Sequence, residues 1–254
     1  MIFDSHAHYD DEAFNIDRNE VIENLRKNRV VGVLNCGSSM EGAIYSVKLA
    51  EKYDFFYAAV GLHPEYVGNF DETIIEKLEK LCLNYKVKAI GEIGLDYYYK
   101  ENPSSEIQQE AFRKQMELAE KLNLPVVIHD RDAHADTLKI LKEFPKVKGV
   151  IHCFSGSTEF ARECLKIGYY IGFTGIVTFK NAKKIIEVAK EVPLNRMLVE
   201  TDCPYMAPIP YRGKRNQSDY IKYIAAQLAE IKGIETNKIL SITENNIREL
   251  LNLI

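Results

Sequence analysis

The sequence has no tryptophan, few prolines and no long hydrophobic run. Its 254 residues include eight prolines and fourteen glycines, while 46% are hydrophobic and 28% are charged. The longest nearly continuous apolar run, residues 55–62, falls far short of the roughly 20 residues that a membrane-spanning helix needs. These properties exclude collagen-like, low-complexity and transmembrane proteins, and they predict an ordinary soluble globular protein with no membrane partner.

Cysteine is scarce, and neither sign of charge is in large excess. The five cysteines are odd in number, widely separated and never in a CxxC pair, so neither a disulfide framework nor a zinc ribbon is predicted. The N-terminus shows neither a basic leader nor an apolar signal core, which makes the cytoplasm the expected compartment. The net charge of −4 argues against a basic surface that coats DNA over a large area, although it permits a local basic patch.

Short runs rich in β-branched and aromatic residues alternate along the chain with amphipathic stretches of helical periodicity. Eight runs are candidate strands: residues 2–4, 30–35, 55–60, 87–93, 126–129, 147–152, 169–173 and 196–201. These runs are apolar on both faces, which is typical of parallel strands that are buried on both sides. No Gly/Ser-rich linker or low-complexity segment divides the chain.

Helical stretches separate the candidate strands, and several begin with a residue that commonly caps a helix. Helix starts are predicted near Asp132, Thr158, Asn181, Ser218 and Thr236. The repeated alternation predicts an α/β protein whose residues 1–254 form a single-domain (β/α)8 TIM barrel. A doubly wound sheet is the weaker alternative, because His-Ala-His-Tyr stands after the first run, where a dinucleotide-binding fold has its glycines.

Two histidines, His6 and His8, follow the first candidate strand. Side chains at positions i and i+2 of a strand share one face, and their backbones are about 6.6 Å apart. Both imidazoles can therefore bind one metal ion. Two unrelated surface histidines are the alternative, but a barrel builds its active site at the carboxyl ends of its strands, which favours a metal site.

A carboxylate stands inside the fourth candidate strand, in Gly91-Glu92-Ile93-Gly94. An unpaired carboxylate is costly to bury, so Glu92 needs a cation or several hydrogen-bond donors. A metal ion would supply the cation, and a structural ion pair with an arginine is the alternative. Asp96 shares the face of Glu92 but lies further out, and a loop cap explains its position as well as a role in the site does.

Further candidates follow three later strands. His129 and His152 each come directly after an apolar run, and Asp202 follows the eighth run, with Glu200 one layer deeper on the same face. A catalytic zinc ion typically has three protein ligands, whereas this set has four histidines and two carboxylates: His6, His8, His129, His152, Glu92 and Asp202. The number of ligands predicts two divalent metal ions that share a carboxylate, about 3.5–4 Å apart.

Five segments combine these residues in a recognisable pattern. They are His6-Ala7-His8, Gly91-Glu92-Ile93-Gly94-Leu95-Asp96, His129, His152-Cys153-Phe154-Ser155-Gly156 and Glu200-Thr201-Asp202-Cys203-Pro204-Tyr205. The pattern closely resembles the TatD family of metal-dependent deoxyribonucleases, which are amidohydrolase-type TIM barrels. The resemblance covers essentially the whole chain, and it implies hydrolysis of DNA phosphodiesters by a 3′→5′ exonuclease that prefers single-stranded ends. Gln217-Ser218 departs from the acidic residue and proline that family members often carry, which affects the expected shape of that loop.

The resemblance also implies roles for individual residues. One divalent metal ion (zinc, magnesium or manganese) would be held by His6, His8 and Asp202, a second by His129 and His152, with Glu92 bridging the two. Asp202, Glu92 and His63 are the expected catalytic residues, although a cap before Pro64 explains His63 equally well. Arg212, Arg215 and Ser155 are expected to bind substrate phosphate. The aromatic residues among 97–100 suit stacking on single-stranded bases, and packing within their own loop is an equal alternative.

Two other functions stay open at the level of sequence. A hydrolase of a small amide, lactone or phosphoester would use the same scaffold and the same kind of ligands. Many amidohydrolases bridge their metals with a modified lysine on the fourth strand, where this chain has Glu92, and this difference favours the nuclease. A non-catalytic nucleic-acid-binding protein is less consistent with six potential ligands at strand ends. DNA is thus the expected partner, and no obligate protein partner is predicted.

Overall fold

A computed structural model describes residues 1–253 of the chain. These residues contain eight strands: β1 (Ile2–Ala7), β2 (Val30–Cys36), β3 (Phe56–Val60), β4 (Val87–Asp96), β5 (Val126–Arg131), β6 (Gly149–Ile151), β7 (Tyr170–Phe173) and β8 (Met197–Val199). The same residues contain nine α-helices: α1 (Arg18–Lys27), α2 (Met40–Lys52), α3 (Glu72–Leu81), α4 (Ser105–Leu122), α5 (His134–Glu143), α6 (Thr158–Lys166), α7 (Lys183–Glu191), α8 (Ile221–Lys232) and α9 (Thr236–Leu250). Neighbouring strands pair in chain order, and a parallel bridge between Ala7 and Cys203 joins the two edges.

This topology confirms the predicted (β/α)8 barrel, and each of the eight predicted runs contains a strand. Four strands extend further than predicted: β1 through His6 to Ala7, β2 to Cys36, β4 to Asp96 and β5 to Arg131. β6 and β8 are shorter than predicted, so that His152 and Glu200 lie in the loops that follow them. Asp202 follows β8, as predicted.

The helices begin close to the predicted positions. α6 and α9 begin at the predicted residues, while α5, α7 and α8 begin two or three residues after Asp132, Asn181 and Ser218. Ser218 instead opens a short 3-10 turn that leads into α8. Within residues 1–253, no helix combines the length and apolar character needed to cross a membrane.

An apolar layer to which every strand contributes fills the amino end of the barrel. Its members are Phe3, Leu34, Cys36, Ala59, Ala89, Val127, Val150, Tyr170 and Leu198 from the strands, with Ile247 and Leu251 from the C-terminal part of the chain. A second and larger apolar cluster fills the space between the strands and the surrounding helices. Since the amino end is packed, the carboxyl end of the barrel is where a cavity can form.

Candidate metal centre

The six predicted ligands meet at the carboxyl end of the barrel. Nε2 of His6 lies 2.9 Å from Nε2 of His8, and Nδ1 of His129 lies 3.3 Å from Nε2 of His152. Four sets of side chains offer ligand atoms within 4.8 Å of one another: His6–His8–Glu92, His6–His152–Asp202, Glu92–His129–His152 and His63–Asp96–His129. The fold therefore gathers the predicted residues from five strand ends into one cluster.

An irregularity in β1 turns His6 toward this cluster. Phe3 belongs to the inner apolar layer, so strict alternation would place Ser5 on the face of Phe3 and direct His6 away from it. The pairing of β1 with β2 changes register between Asp4 and Ala7, and His6 lies inside the barrel mouth, fully buried. Irregularities of this kind re-aim side chains beside active sites.

A similar change of strand register positions Glu92 in β4. Ala89 belongs to the inner layer, and Glu92 has the opposite parity, yet it also faces the barrel interior. The pairing of β4 with β5 changes register between Ile90 and Ile93, which accounts for the change of face. An alternation pattern read from the sequence cannot show such a shift, because it depends on the neighbouring strand.

Glu92 separates two pairs of imidazoles. Its Oε1 lies 2.7 Å from Nε2 of His152 and 2.9 Å from Nδ1 of His129. Its Oε2 lies 3.4 Å from Nε2 of His6 and 3.5 Å from Nε2 of His8. Each carboxylate oxygen thus faces one histidine pair, which is the arrangement expected of a carboxylate that bridges two cations.

Second partners orient two of the rings. Nδ1 of His8 lies 2.8 Å from the carbonyl oxygen of Cys36, and Nε2 of His129 lies 3.0 Å from Oδ2 of Asp96. Such contacts would keep the proton of a metal-bound imidazole on its outer nitrogen and direct the lone pair of the inner nitrogen toward the metal ion. The inner nitrogens of both rings, Nε2 of His8 and Nδ1 of His129, face Glu92.

The electrostatics of the cluster reflect crowding of buried ionisable groups. Burial and the nearby His152 ring lower the pKa of His6 to about 4, so this imidazole is neutral near pH 7. Burial opposes the charge of His8, but Asp202 and Glu92 outweigh it and raise its pKa to about 10. Burial likewise favours a protonated Glu92, yet the imidazoles of His152 and His6 bring its pKa well below the usual range.

These residues fit a divalent metal centre on the evidence of their own chemistry. Nε2 of His6 and Nε2 of His8 lie 2.9 Å apart, and both face Oε2 of Glu92, so that several potential ligand atoms converge on one point. Imidazole nitrogens and carboxylate oxygens are ligands for zinc, manganese and related divalent ions. A pair of cations would also neutralise Glu92 and Asp202, whose buried charges need compensation.

His63 and Asp96 extend the cluster in one direction. Nε2 of His63 lies 3.9 Å from Oε1 of Glu92, while its Nδ1 accepts a hydrogen bond from the amide of Glu65 at 3.2 Å. The residue therefore caps the turn at Pro64 and also faces the site. Asp96 likewise contacts His129 and accepts a hydrogen bond from the amide of Tyr98 at 3.0 Å, which combines both roles considered for it.

The residues expected to bind phosphate lie in different surroundings. Ser155 lines the cavity that contains the cluster, whereas Arg212 and Arg215 line a neighbouring groove. Arg215 is engaged by Asp17, with nitrogen–oxygen distances of 2.8 and 2.6 Å. The guanidinium carbon of Arg212 lies 4.3 Å from the centre of the Phe179 ring.

The sequence did not identify Arg131 as a site residue, and it identified Glu200 only in part. Arg131 lines the cavity two residues after His129 on β5, and its equal parity is the signal that would have identified it. Glu200, suggested only as a supporting residue, accepts a hydrogen bond from the amide of Cys153 at 2.5 Å. Burial raises the pKa of Glu200 to about 7.

The cavity above the cluster has a volume of about 560 Å³. It is bordered by Tyr66, Tyr99, Arg131, Tyr205 and Met206, with Asp202 and Glu92 at its base. A volume of this size is typical of small-molecule sites, which run from about 300 to 1,000 Å³. It is large enough for a nucleotide-sized group to reach the ligand residues.

The barrel and its histidine–carboxylate cluster define the class of metal-dependent hydrolases. The family model of TatD related DNases matches residues 3–252, and the chain belongs to this family. It is 45% identical over 255 residues to an uncharacterized metal-dependent hydrolase of Bacillus subtilis, YabD, with complete coverage of both chains.

Two further comparisons bear on fold and activity. The crystal structure of YjjV, a TatD homologue from Escherichia coli, superposes with a TM-score of 0.92 at 31% identity, covering 99% of this chain and 98% of YjjV. A Klebsiella pneumoniae protein named 3′-5′ ssDNA/RNA exonuclease TatD is 32% identical over 259 residues, covering 99% of this chain and 98% of its own. The resemblance seen in the sequence is confirmed at the level of family, fold and hydrolase class.

Proposed function

We propose that this protein hydrolyses phosphodiester bonds of DNA, removing nucleotides from single-stranded 3′ ends, with two divalent metal ions. The observation that carries the proposal is the position of Glu92 between two pairs of imidazoles, each facing one of its oxygens. The 32% identity to a protein named 3′-5′ ssDNA/RNA exonuclease supports the choice of substrate.

The ligand residues divide into two groups around Glu92. His6, His8 and Asp202 would hold one cation, and His129 and His152 the other, with Glu92 contacting both. Zinc, manganese and magnesium are the candidate ions, and imidazole-rich sites favour the transition metals. When bound, a pair of such ions supplies positive charge that stabilises the phosphate oxygens and makes water more acidic.

Asp202 would take up the proton of the attacking water. Burial opposes ionisation of Asp202, but its hydrogen bond to His8 and the nearby imidazoles hold the pKa of its carboxyl below the usual range. An ionised carboxylate at this position is a competent proton acceptor. Its Oδ1 lies 3.3 Å from Nε2 of His8, a contact that fixes its direction.

The loops around the cavity would position the strand. Ser155 lines the cavity and Arg212 lines the adjoining groove, so these residues contact substrate phosphate on this proposal. Tyr98 and Tyr99 are 54% and 45% exposed, and such rings provide stacking surfaces for unpaired bases. Arg215 would act mainly through its pair with Asp17, by holding the groove loop.

The test uses purified protein stripped of metal with a chelator and a labelled single-stranded DNA of mixed sequence. We expect no cleavage until zinc, manganese or magnesium is restored, and then a ladder that shortens from the 3′ end. Glu92→Gln and His6→Ala should each lose at least about a hundredfold in rate, because removal of a metal ligand abolishes one site.

Further substrates identify the outcome that contradicts the proposal. An equivalent RNA strand, a DNA duplex and a panel of small esters, lactones and amides are assayed in parallel with the metal-loaded protein. Hydrolysis of a small ester or lactone without cleavage of any oligonucleotide would replace the nuclease with a small-molecule hydrolase. Full oligonucleotide cleavage by Glu92→Gln would overturn the site assignment.

A further inference from the structure

The cavity above the metal ligands contains a single arginine and no lysine among its lining residues. That arginine is Arg131, and the other charged residues of the lining are carboxylates and histidines. Asp10, Asp11, Glu65 and Asp130 add negative charge around the rim. Arg131 is therefore the permanent positive charge of this cavity, in the part of the chain that the structure describes.

The position of Arg131 follows from its strand. Arg131 and His129 are two residues apart in β5, so their side chains share a face and their backbones are about 6.6 Å apart. His129 faces Glu92, and Arg131 lies one layer further out, toward the cavity mouth. Asp130, of opposite parity, instead contacts His134 and Thr137 of α5.

Two tyrosines hold the guanidinium in place. Its carbon lies 4.0 Å from the ring centre of Tyr98 and 4.8 Å from that of Tyr99. Its Nη1 donates a hydrogen bond to the hydroxyl of Tyr99 at 3.2 Å. Stacking of this kind restricts a guanidinium at little cost to its hydrogen-bonding capacity, since its N–H donors lie in the plane of the group.

The charge of Arg131 is not used by another part of the protein. Within residues 1–253, no carboxylate lies within ion-pairing distance of its guanidinium, whereas Arg113, Arg162 and Arg215 each pair with an acidic side chain. Arginine has five N–H donors, and one hydrogen bond to Tyr99 leaves most of them free. A fixed cation with free donors at the mouth of a cavity is suited to a phosphate group.

We propose that Arg131 binds the phosphate group next to the one that is cleaved, and so distinguishes a nucleic acid strand from a small ester. This inference rests on the proposed nuclease function and assigns part of its substrate recognition. Arg131 lies two residues beyond His129 on the same face of β5. Its backbone is therefore about 6.6 Å nearer the cavity mouth than that of His129. A substrate with a second phosphate gains a charge-assisted contact there, and a substrate with one phosphate does not.

The experiment pairs a protein change with a substrate change. Metal-loaded wild type and Arg131→Gln are compared on a single-stranded DNA and on the same strand with a methylphosphonate at the second linkage from the 3′ end. That linkage is uncharged, while the linkage to be cleaved stays normal. The quantity measured is kcat/KM for the first cleavage.

We expect the uncharged linkage to slow wild type by about tenfold or more, since a hydrogen bond between charged groups contributes about 1.5–3 kcal/mol. Arg131→Gln should be slower on the normal strand by a similar factor, and the uncharged linkage should add little to that loss. Arg196→Gln is the matched control, because Arg196 also lies over a tyrosine, at 4.9 Å from the Tyr170 ring centre, beside the amino end of β8.

The possible outcomes distinguish failure of the Arg131 inference from failure of the proposed nuclease function. The loss in kcat/KM caused by Arg131→Gln and the loss caused by the uncharged linkage should not multiply when they are combined. If they do multiply, or if the uncharged linkage has no effect on wild type, Arg131 does not bind that phosphate and the inference is overturned. If the metal-loaded wild type cuts neither strand, the nuclease proposal itself fails. Melting temperatures of both arginine variants near that of wild type show that the comparison is made on folded protein.

Discussion

The outer nitrogen of His129, Nε2, lies 3.0 Å from Oδ2 of Asp96, while its inner nitrogen, Nδ1, lies 2.9 Å from Oε1 of Glu92. One ring therefore connects a carboxylate at the centre of the cluster with a carboxylate outside it. Burial raises the pKa of Asp96, but its bond to His129 outweighs this and lowers it overall. Asp96 is thus ionised and accepts a hydrogen bond from the N–H of Nε2, which would leave the lone pair of Nδ1 free to bind a metal ion.

Replacing Asp96 by asparagine tests this arrangement. We expect Asp96→Asn to weaken metal binding by roughly tenfold to a hundredfold, because partners that orient a histidine ligand typically contribute that much. The measurement is the dissociation constant of zinc or manganese, obtained by titrating the metal-stripped protein. Asp136→Asn is the control, since Asp136 bonds to Tyr97 and Gln109 and to no imidazole; equal affinities of the two variants would contradict the role of Asp96.

Metal binding should also stabilise the folded protein. A ligand that binds only the native state at 100 times its dissociation constant raises the free energy of unfolding by about 2.7 kcal/mol. We expect the melting temperature of the chelator-treated protein to rise when zinc or manganese is added. In Glu92→Gln the increase should be much smaller, and an undiminished increase would show that the ion binds elsewhere.

Much of this molecule was predictable from the sequence, because the information was local. Apolar runs of strand length predicted the eight parallel strands. Histidines at the ends of those runs predicted which side chains would cluster at the barrel mouth, since parallel strand ends meet at one edge. The changes of register that aim His6 and Glu92 were not predictable, because they depend on a neighbouring strand. The pair of Arg215 with Asp17 joins residues 198 positions apart, and a loop pattern alone suggested a free phosphate-binding cation.

The close packing around Gly172, beneath the site, leads to a prediction about the stability of the folded protein. A Cβ atom added to Gly172 of β7 would lie 2.7 Å from both carboxylate oxygens of Glu200, which is fully buried and bonded to the amide of Cys153. We expect Gly172→Ala to lower the free energy of unfolding by about 1–3 kcal/mol, as overpacking of a buried site does. Urea unfolding measures the change.

Gly68→Ala is the control for that substitution. An added Cβ at Gly68 would lie 3.7 Å from its nearest neighbour, a side-chain atom of Pro103, which is ordinary contact. Its effect should stay within about 0.5 kcal/mol, as for most surface substitutions. Equal stability of Gly172→Ala and wild type would mean that Glu200 moves freely, against its tight contacts.

The groove arginines should differ in what they contribute. Arg215 makes two hydrogen bonds to Asp17 and one to the carbonyl oxygen of Ala13 at 2.7 Å, and its guanidinium carbon lies 4.7 Å from the Phe14 ring centre. Both partners of the ion pair are about one-third exposed, so the pair is partly screened by solvent and should stabilise the fold by no more than about 1 kcal/mol.

A double-mutant cycle with Arg215→Gln and Asp17→Asn measures the coupling between these two residues by urea unfolding. We expect each single substitution to destabilise and the double variant to be little worse than Arg215→Gln, because that substitution already removes the pair with Asp17. Arg212, stacked on Phe179 without an acidic partner among residues 1–253, should show no coupling to Asp17 and should instead raise KM for the oligonucleotide when replaced by glutamine. Two results would contradict this division. If the Arg215 and Asp17 substitutions are additive, and if Arg215→Gln raises KM as much as Arg212→Gln does, then Arg215 binds substrate phosphate.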